Sequence, residues 1–175
     1  METSKYKFNE WPTDLLIDYA LKIHHRGIRA KGPKVLRLIQ SLSDENMVMA
    51  EIESLFSDSL NDLGNHLQKE EQVLFPYLYS LLEAQRNGQA MGPMHCGSIA
   101  NPIHMMMLEH DDEIDRHQRI RQLTNDYTAP ADASDDYKLL VGALKEFSDD
   151  LHEHIHIEND IIFPSCQVVE QQIVR

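Results

Sequence analysis

Apolar residues recur every three or four positions along four long stretches of this chain, the spacing expected of helices that bury one face. The stretches cover about residues 13–42, 43–85, 103–123 and 134–162. No segment of useful length alternates apolar and polar residues in the manner of a half-buried strand. The pattern therefore predicts an all-α protein.

Segments rich in Gly, Pro, Asn, Asp and Ser separate the predicted helices, most clearly at residues 86–102 and 126–134. Four helices of this length with such connections predict an antiparallel, up-down-up-down four-helix bundle over about residues 13–164, in a single domain that spans residues 1–175. Gly32-Pro33 predicts a bend or an interruption of the first helix. Beyond Pro164 the sequence predicts one or two further helical turns.

The charge balance narrows the choice of partners. The chain carries 29 Asp and Glu against 16 Lys and Arg, a formal net charge of −13, which repels the phosphates of nucleic acids and anionic membranes. No apolar run reaches the length of a membrane span, and the N-terminal residues lack the apolar core of a signal peptide. Cys96 and Cys166 lack the spacing of a thiolate metal site or a redox motif. We expect a cytoplasmic protein that binds neither nucleic acid nor membrane.

One motif occurs twice. HLQKEEQVLFP (residues 66–76) and HIHIENDIIFP (residues 154–164) share the pattern His, three residues, Glu, four residues, Phe-Pro. Residues four apart on a helix are neighbours, so His66 and Glu70 can face the same point, as can His154 and Glu158. Imidazole and carboxylate without thiolate suit iron, manganese or zinc. We expect the two Phe-Pro pairs to exclude water and to end or kink the helices.

Periodicity predicts which residues face the bundle interior. In the second helix the predicted stripe is Ile52, Phe56, Leu63, His66, Glu70, Val73 and Tyr77. In the third helix it is Ile103, Met107, His110, Ile114 and His117. In the fourth helix it is Leu140, Leu144, Phe147, Leu151, His154, Glu158 and Ile162. His104 lies to one side of the third-helix stripe. We expect solvated positions at His152, His156, Glu71, Lys145, Asp149 and Asn159.

The inward histidines and glutamates are candidate metal ligands. His110 is the candidate on the third helix, whereas His117, further along, is predicted to be a hydrogen-bonded histidine. On the first helix, apolar neighbours favour His24 over His25, but Gly32-Pro33 leaves the register open between them. A single buried histidine is more often a hydrogen-bonded core residue than a metal ligand. Two glutamates on apolar stripes, however, indicate a bound cation, because buried carboxylates are rare unless they are paired with a positive charge.

One histidine from each helix plus two glutamates makes six candidate ligands. A structural zinc ion closes at four ligands, so six suit two metal ions that share both carboxylates, with an oxo or hydroxo group completing the bridge. A ferritin-like site needs Glu-x-x-His on two helices. That spacing occurs at Glu153 and His156, on the predicted polar face, and we therefore reject the ferritin-like alternative.

The two motifs, together with MMMLEHDDEI (residues 105–114) and HHRGIR (residues 24–29), resemble the hemerythrin-like domain of the repair-of-iron-centres family over about residues 15–164. The resemblance implies a hemerythrin-like bundle that holds two non-haem iron ions. Its implied ligands are His25, His66, Glu70, His110, His154 and Glu158. It favours His25 over His24 because the family's His-x3-Arg, with proline eight residues beyond the ligand, matches His25, Arg29 and Pro33.

The same resemblance implies a function. Members of this family repair iron–sulfur clusters damaged by nitric oxide or oxidative stress, so iron donation or reaction with nitric oxide is expected, with iron–sulfur proteins as partners. The alternative is a hemerythrin-like module that binds or senses dioxygen or nitric oxide without turnover. The family's N-terminal cysteine-bearing domain is expected to be absent, because the bundle begins within the first fifteen residues. The sequence leaves monomer and dimer open.

Overall fold

Four long helices form the structure, a computed structural model that describes residues 6–42, 47–95 and 97–174. They are α1 (residues 13–42), α2 (residues 47–86), α3 (Ala100–Leu123) and α4 (residues 135–173). A 3-10 turn at Phe8–Glu10 precedes α1. The predicted start of the second helix at residues 43–45, and Cys96, lie outside the described residues.

Each helix packs against its neighbours in the chain, and α4 closes the bundle against α1. In the described ranges, β-structure is confined to isolated bridges that join Met91 to Val174 and Met94 to Gly97. The predicted all-α four-helix bundle is therefore confirmed. Within the same ranges, no helix has the combination of length and hydropathy that a membrane span requires.

Three helices contain a π-helical turn and continue beyond it. In the described residues these turns are Ala20–His25 in α1, Glu70–Leu74 in α2 and Glu158–Ile162 in α4. A π turn holds one residue more than an α turn, so every later residue faces about one position further round the helix. Such turns are frequent at functional sites.

The π turn in α2 changes which residues are buried after it. Leu74 is 2% exposed and Leu78 is fully buried, whereas Val73 is 44% exposed and Tyr77 is partly exposed. The predicted inward positions of Val73 and Tyr77 are therefore wrong. The prediction assumes that the α-helical period continues through residues 70–74, but the π turn there changes the period.

The stripe on α3 also differs from the prediction. Met106 is 4% exposed and Met107 is 38% exposed, while Ile114 is only partly buried. The buried positions run Ile103, Met106, His110, Glu113, His117 and Ile120. From Ile103 onward the spacing between buried positions is three and then four residues, whereas the predicted stripe had four and then three. The prediction that Met107 faces the interior is therefore wrong.

Proline does not end the helices. Helical structure runs through Pro33, so the interruption that was one of the two alternatives predicted at Gly32-Pro33 does not occur. Pro76 and Pro164 are each the second residue after a π turn, where the missing N–H of proline is tolerated as at a helix start. The last helix continues to Ile173, so the further helical turns predicted beyond Pro164 are present.

Two hydrophobic clusters occupy opposite ends of the bundle interior. One contains Leu16, Leu74, Phe75 and Phe163 among others, and the other is built around Phe56, Leu63 and Phe147. On α2 the second cluster ends at Leu67 and the first begins at Leu74. The interval between them holds His66 and Glu70, which therefore belong to a layer of buried polar residues with apolar side chains on both sides.

Candidate metal centre

The polar layer brings together all six residues of the implied ligand set. Each is fully or almost fully buried: His25, His66, Glu70, His110, His154 and Glu158. They fall into two groups whose nitrogen and oxygen atoms lie within 4.8 Å of one another. His25 and His154 belong to one group, His66 and His110 to the other, and both groups share Glu70 and Glu158. Each group has the composition and spacing to hold a metal ion.

The shared carboxylates each face both groups. The Oε2 atom of Glu70 lies 3.5 Å from Nε2 of His25, and its Oε1 atom lies 3.4 Å from Nε2 of His66. Glu158 repeats the arrangement: Oε1 lies 2.7 Å from Nε2 of His154, and Oε2 lies 3.3 Å from Nε2 of His110. Each carboxylate therefore presents one oxygen atom to each group, the disposition of a bridging ligand.

Several polar atoms of the layer have no hydrogen-bond partner. These atoms are Nε2 of His25, both carboxylate oxygens of Glu70, Nδ1 of His154 and Oε2 of Glu158. Buried polar atoms without partners are costly, and buried carboxylates are rarely found without a cation. A cation in each group would satisfy atoms that the protein leaves unpaired, so the residues fit a pair of metal ions.

Two of the layer histidines are held in orientation by acidic groups behind them. His25 Nδ1 donates to Oε1 of Glu71 over 2.9 Å, and His66 Nδ1 donates to Oε2 of Glu109 over 2.8 Å. Glu71 also binds Arg29, at 2.6 and 3.0 Å. Metal-binding histidines commonly donate their second N–H in this way, which turns the free Nε2 toward the metal.

The third oriented histidine is on α3. His110 Nδ1 donates to Oδ1 of Asn159 over 2.8 Å. Because His66 and His110 both use Nδ1 as the donor, their Nε2 lone pairs point at each other across 2.9 Å. Two facing lone pairs repel unless a proton or a cation lies between them. A proton on His66, whose pKa is raised to about 9, can occupy this position, and a bound metal ion would replace it.

Sequence reasoning missed these supporting residues. Glu71 and Asn159 were expected to be solvated, and that expectation is wrong because they contact His25 and His110. Glu109 was not singled out, although it directly precedes His110. Each supporting residue lies on a different helix from the histidine it holds, so helical periodicity gives no signal for the pairing. His152 and His156 are exposed, as predicted, and His104, beside the third-helix stripe, is exposed as well.

The structure places His25, not His24, in a ligand group. His24 is also buried, with its Nε2 atom 3.5 Å from Oε1 of Glu153. The π turn at Ala20–His25 explains why periodicity favoured His24: residues before the turn are in phase with His24, and Ile28 and later residues are in phase with His25. Glu153, expected on the polar face, is partly buried by this contact.

The charges of the layer alter the pKa values of its histidines. Burial alone lowers the pKa of His66, but the neighbouring carboxylates, Glu70 foremost, outweigh it and raise the pKa to about 9. Burial dominates at His154 and lowers its pKa to about 4. Burial and the charge of Glu158 raise the pKa of Glu70. The buried carboxylates thus favour positive charge in the layer, and metal ions can supply that positive charge.

A second buried polar cluster lies further along α3. The Ser59 hydroxyl donates to Oε2 of Glu113 over 2.6 Å, and His117 Nε2 lies 3.2 Å from the same hydroxyl oxygen. Burial lowers the pKa of His117 to about 3, so this histidine is neutral and donates to Ser59. The predicted hydrogen-bonded role of His117 is confirmed. Glu113, which Arg116 also contacts, was not predicted to be buried.

Aromatic rings and a cleft complete the surroundings. Phe75 stacks on His25 at 5.8 Å between ring centroids, and Phe163 stacks on His110 at 6.3 Å, so both predicted phenylalanines exclude water from the layer. A cleft of about 290 Å³ between α2 and α3 reaches His66 and His110. The cleft gives a small molecule a route to one side of the layer.

Comparison with known proteins agrees with this geometry. The sequence model described as the hemerythrin HHE cation binding domain matches residues 16–166. A probable iron-sulfur cluster repair protein of Haemophilus influenzae is 34% identical over 159 residues, which cover 85% of this chain and 63% of that protein. The iron-sulfur cluster repair protein DnrN of Neisseria gonorrhoeae is 32% identical over 161 residues, 89% of this chain and 94% of that protein.

A third relative is the iron-sulfur cluster repair protein YtfE of Musicola paradisiaca, 31% identical over 157 residues. The match covers 87% of this chain and 65% of that protein, so the chain spans just under two thirds of the Haemophilus and Musicola relatives. The resemblance to repair-of-iron-centres proteins is confirmed. The family match covers most of the chain and includes all six residues of the polar layer, and the chain therefore belongs to the hemerythrin HHE cation binding domain family.

Proposed function

We propose that the polar layer holds two iron ions, with Glu70 and Glu158 as bridging ligands. The observation that carries this proposal is that each of these buried carboxylates offers one oxygen atom to either group of histidines. His25 and His154 complete the first ion's protein ligands, and His66 and His110 complete the second's. Each ion would then have four protein ligands, two imidazole nitrogens and two carboxylate oxygens. An iron ion that prefers six ligands could therefore bind further small ligands.

The donor set and the names of the relatives together favour iron. Imidazole nitrogen with carboxylate oxygen, and no thiolate, suits iron, manganese or zinc, and the relatives' names point to iron. An iron pair bound here would supply releasable iron and an open position for nitric oxide or dioxygen. The protein's own residues orient the imidazoles, exclude water on the Phe75 and Phe163 sides and leave a cleft beside His66 and His110.

The biological role that fits this site is repair of iron–sulfur clusters damaged by nitric oxide or oxidation. Three relatives whose matches cover at least 85% of this chain are named as iron-sulfur cluster repair proteins. Histidine and carboxylate ligands hold ferrous iron moderately, and protons compete for the same atoms, so the iron can be released. We propose iron–sulfur proteins as the partners that receive it.

Cluster reconstitution tests this role. An iron–sulfur protein whose cluster has been destroyed by nitric oxide would be incubated anaerobically with the iron-loaded protein, sulfide and a thiol. A chelator that captures free ferrous iron would be present throughout. Cluster absorbance should return with the loaded protein and not with an equal amount of ferrous salt. Recovery no better than with the salt would remove the donor role.

Binding of dioxygen or nitric oxide without turnover is the second candidate. The cleft beside His66 and His110 favours it, because a small molecule can reach the layer from that side. Stopped-flow spectroscopy of the reduced, iron-loaded protein mixed with nitric oxide distinguishes the possibilities. A stable adduct that releases nitric oxide on dilution supports a binding module, whereas formation of nitrous oxide supports reduction of nitric oxide at the iron pair.

A further inference from the structure

A continuous line of aromatic rings connects the polar layer to the protein surface. His154 stacks on His24 at 5.5 Å between ring centroids, and His24 meets Tyr19 at 5.1 Å. Tyr19 meets Trp11 at 5.5 Å, and Trp11 meets Tyr6 at 5.6 Å. Tyr6 is 53% exposed. The line thus begins at a proposed iron ligand and ends in solvent, with no step longer than 5.6 Å.

The chemistry of these rings suits electron transfer. Tyrosine and tryptophan are the aromatic side chains most easily oxidised by one electron, and a tyrosine must lose its phenolic proton when it is oxidised. The Tyr19 hydroxyl donates to Oε1 of Glu153 over 3.2 Å, so an acceptor for that proton is already in place. Glu153 is also the carboxylate that lies beside His24.

Packing alone accounts for part of this cluster but not for its polar members. Phe8 is 4% exposed and lies 5.2 Å from Trp11 and 5.4 Å from Tyr19, so it fixes the N-terminal segment to the bundle by apolar contact. His24, by contrast, is 4% exposed and its Nε2 atom has no hydrogen-bond partner. A purely apolar side chain would pack there without that cost.

We propose that His24, Tyr19 and Trp11 form a path that carries oxidising equivalents from the iron pair to the surface. The path rests on the proposed function, because it begins at the metal centre. Its oxidant is hydrogen peroxide, which takes up two electrons and two solvent protons to give two water molecules. A reduced iron pair bound in the layer would supply one of these electrons, and Tyr19 would supply the other.

The proton and electron then move outward in balanced steps. On oxidation the phenolic proton of Tyr19 passes to Glu153 along the existing hydrogen bond. Trp11 next gives an electron to the Tyr19 radical, which recovers its proton from Glu153, and the indole N–H proton of Trp11 passes to water. A thiol in solution gives a hydrogen atom to the Trp11 radical and becomes a thiyl radical. The buried ligands are thereby spared oxidation.

The sequence offers an unambiguous reporter of this path. Trp11 is the only tryptophan in the chain, so a tryptophan radical, or oxygen added to tryptophan, can arise nowhere else. Anaerobically iron-loaded protein, with its iron content measured first, would be mixed with hydrogen peroxide and frozen for electron paramagnetic resonance. Peptide mass spectrometry would measure the oxygen added to Trp11.

The expected result is a tryptophan radical in the unaltered protein and its loss in Tyr19→Phe at unchanged iron content. Phe8→Leu is the matched control: it alters the same ring cluster without removing an oxidisable side chain, so the radical should remain. Equal radical yield in Tyr19→Phe, or the same radical in protein without iron, would overturn the path.

Failure of the path and failure of the proposed function give different results. Unaltered protein with two bound irons and no oxidation of Trp11 would overturn the path alone. Protein that binds no iron under anaerobic loading would overturn both. The iron content measured before peroxide addition separates these outcomes.

Discussion

The Nδ1 atom of His25 lies 2.9 Å from Oε1 of Glu71, a carboxylate that Arg29 binds through both of its oxygen atoms. The ion pair between Arg29 and Glu71 holds the carboxylate, and the carboxylate holds the imidazole ring with Nε2 toward the layer. Because Glu71 is on α2 and the other two residues are on α1, the contact also fixes one helix against the other. The sequence HHRGIR thus carries both a layer histidine and the arginine that supports its partner.

Replacement of Glu71 should weaken iron binding without removing a ligand. Loss of a hydrogen-bond partner behind a metal-binding histidine typically lowers metal affinity about 10- to 100-fold. We expect Glu71→Ala to show a decrease of that size, measured by competition with a ferrous chelator. Glu83→Ala is the matched control, since Glu83 is an exposed glutamate on the same helix. Equal affinities in the two variants would contradict the supporting role of Glu71.

The π turn in α2 makes a prediction about stability. Leu74 is buried and Val73 is 44% exposed, so Leu74→Ala should leave a cavity that lowers the free energy of unfolding by about 2–5 kcal/mol. Val73→Ala should change it by no more than about 0.5 kcal/mol. Urea unfolding followed by circular dichroism measures both. A larger loss at Val73 than at Leu74 would show that the helix keeps α-helical register through residues 70–74.

His117 should make the stability of the protein depend on pH. Its pKa is about 3 when folded, because burial disfavours the charged ring, against 6.5 when unfolded. Unfolding therefore takes up a proton between these values. The stability that His117 contributes is fully present above about pH 6.5 and falls by about 1.4 kcal/mol for each unit of pH below it.

His117→Gln tests this contribution. Glutamine keeps a donor for Ser59 but cannot take up the proton, so the free energy of unfolding of the variant should fall less steeply than that of the unaltered protein from pH 6.5 to pH 4.5. Denaturant unfolding at several pH values measures the difference in slope. Parallel curves would mean that His117 is not held neutral by burial.

Removal of a bridging carboxylate should affect both metal positions. Glu70 and Glu158 are each proposed as a ligand of both ions, so iron content should fall more in Glu70→Ala or Glu158→Ala than in His117→Ala or His152→Ala, whose positions lie outside the two groups. Iron would be quantified per chain after anaerobic loading and gel filtration. His152 is exposed and His117 is buried, so the two controls separate loss of a ligand from general disturbance of the fold.

The helices and most of the layer could be predicted because their signals are local. His66 and Glu70 are four residues apart on one helix, and their repetition at His154 and Glu158 needs no knowledge of packing. The register beyond each π turn could not be predicted in the same way. Val73 and His24 were assigned with a constant period, and the additional residue of each turn displaces everything that follows.

The supporting residues could not be predicted because they depend on tertiary contact. Glu71 and Glu109 lie beside inward positions on their own helices and look solvated in the sequence, and they become partners of His25 and His66 only when the helices pack. Glu113 is similar. It is buried because the buried positions on α3 are spaced by three and then four residues, and the sequence is equally compatible with spacing by four and then three.

Mössbauer spectroscopy of protein loaded anaerobically with iron-57 and then oxidised tests the central claim most directly. Two ions that share the carboxylates of Glu70 and Glu158, as proposed, would be close enough to couple magnetically. We predict two iron ions per chain whose ferric form is antiferromagnetically coupled. A single iron ion per chain, or two ions that behave as isolated high-spin ferric centres, would contradict a bridged pair in the polar layer.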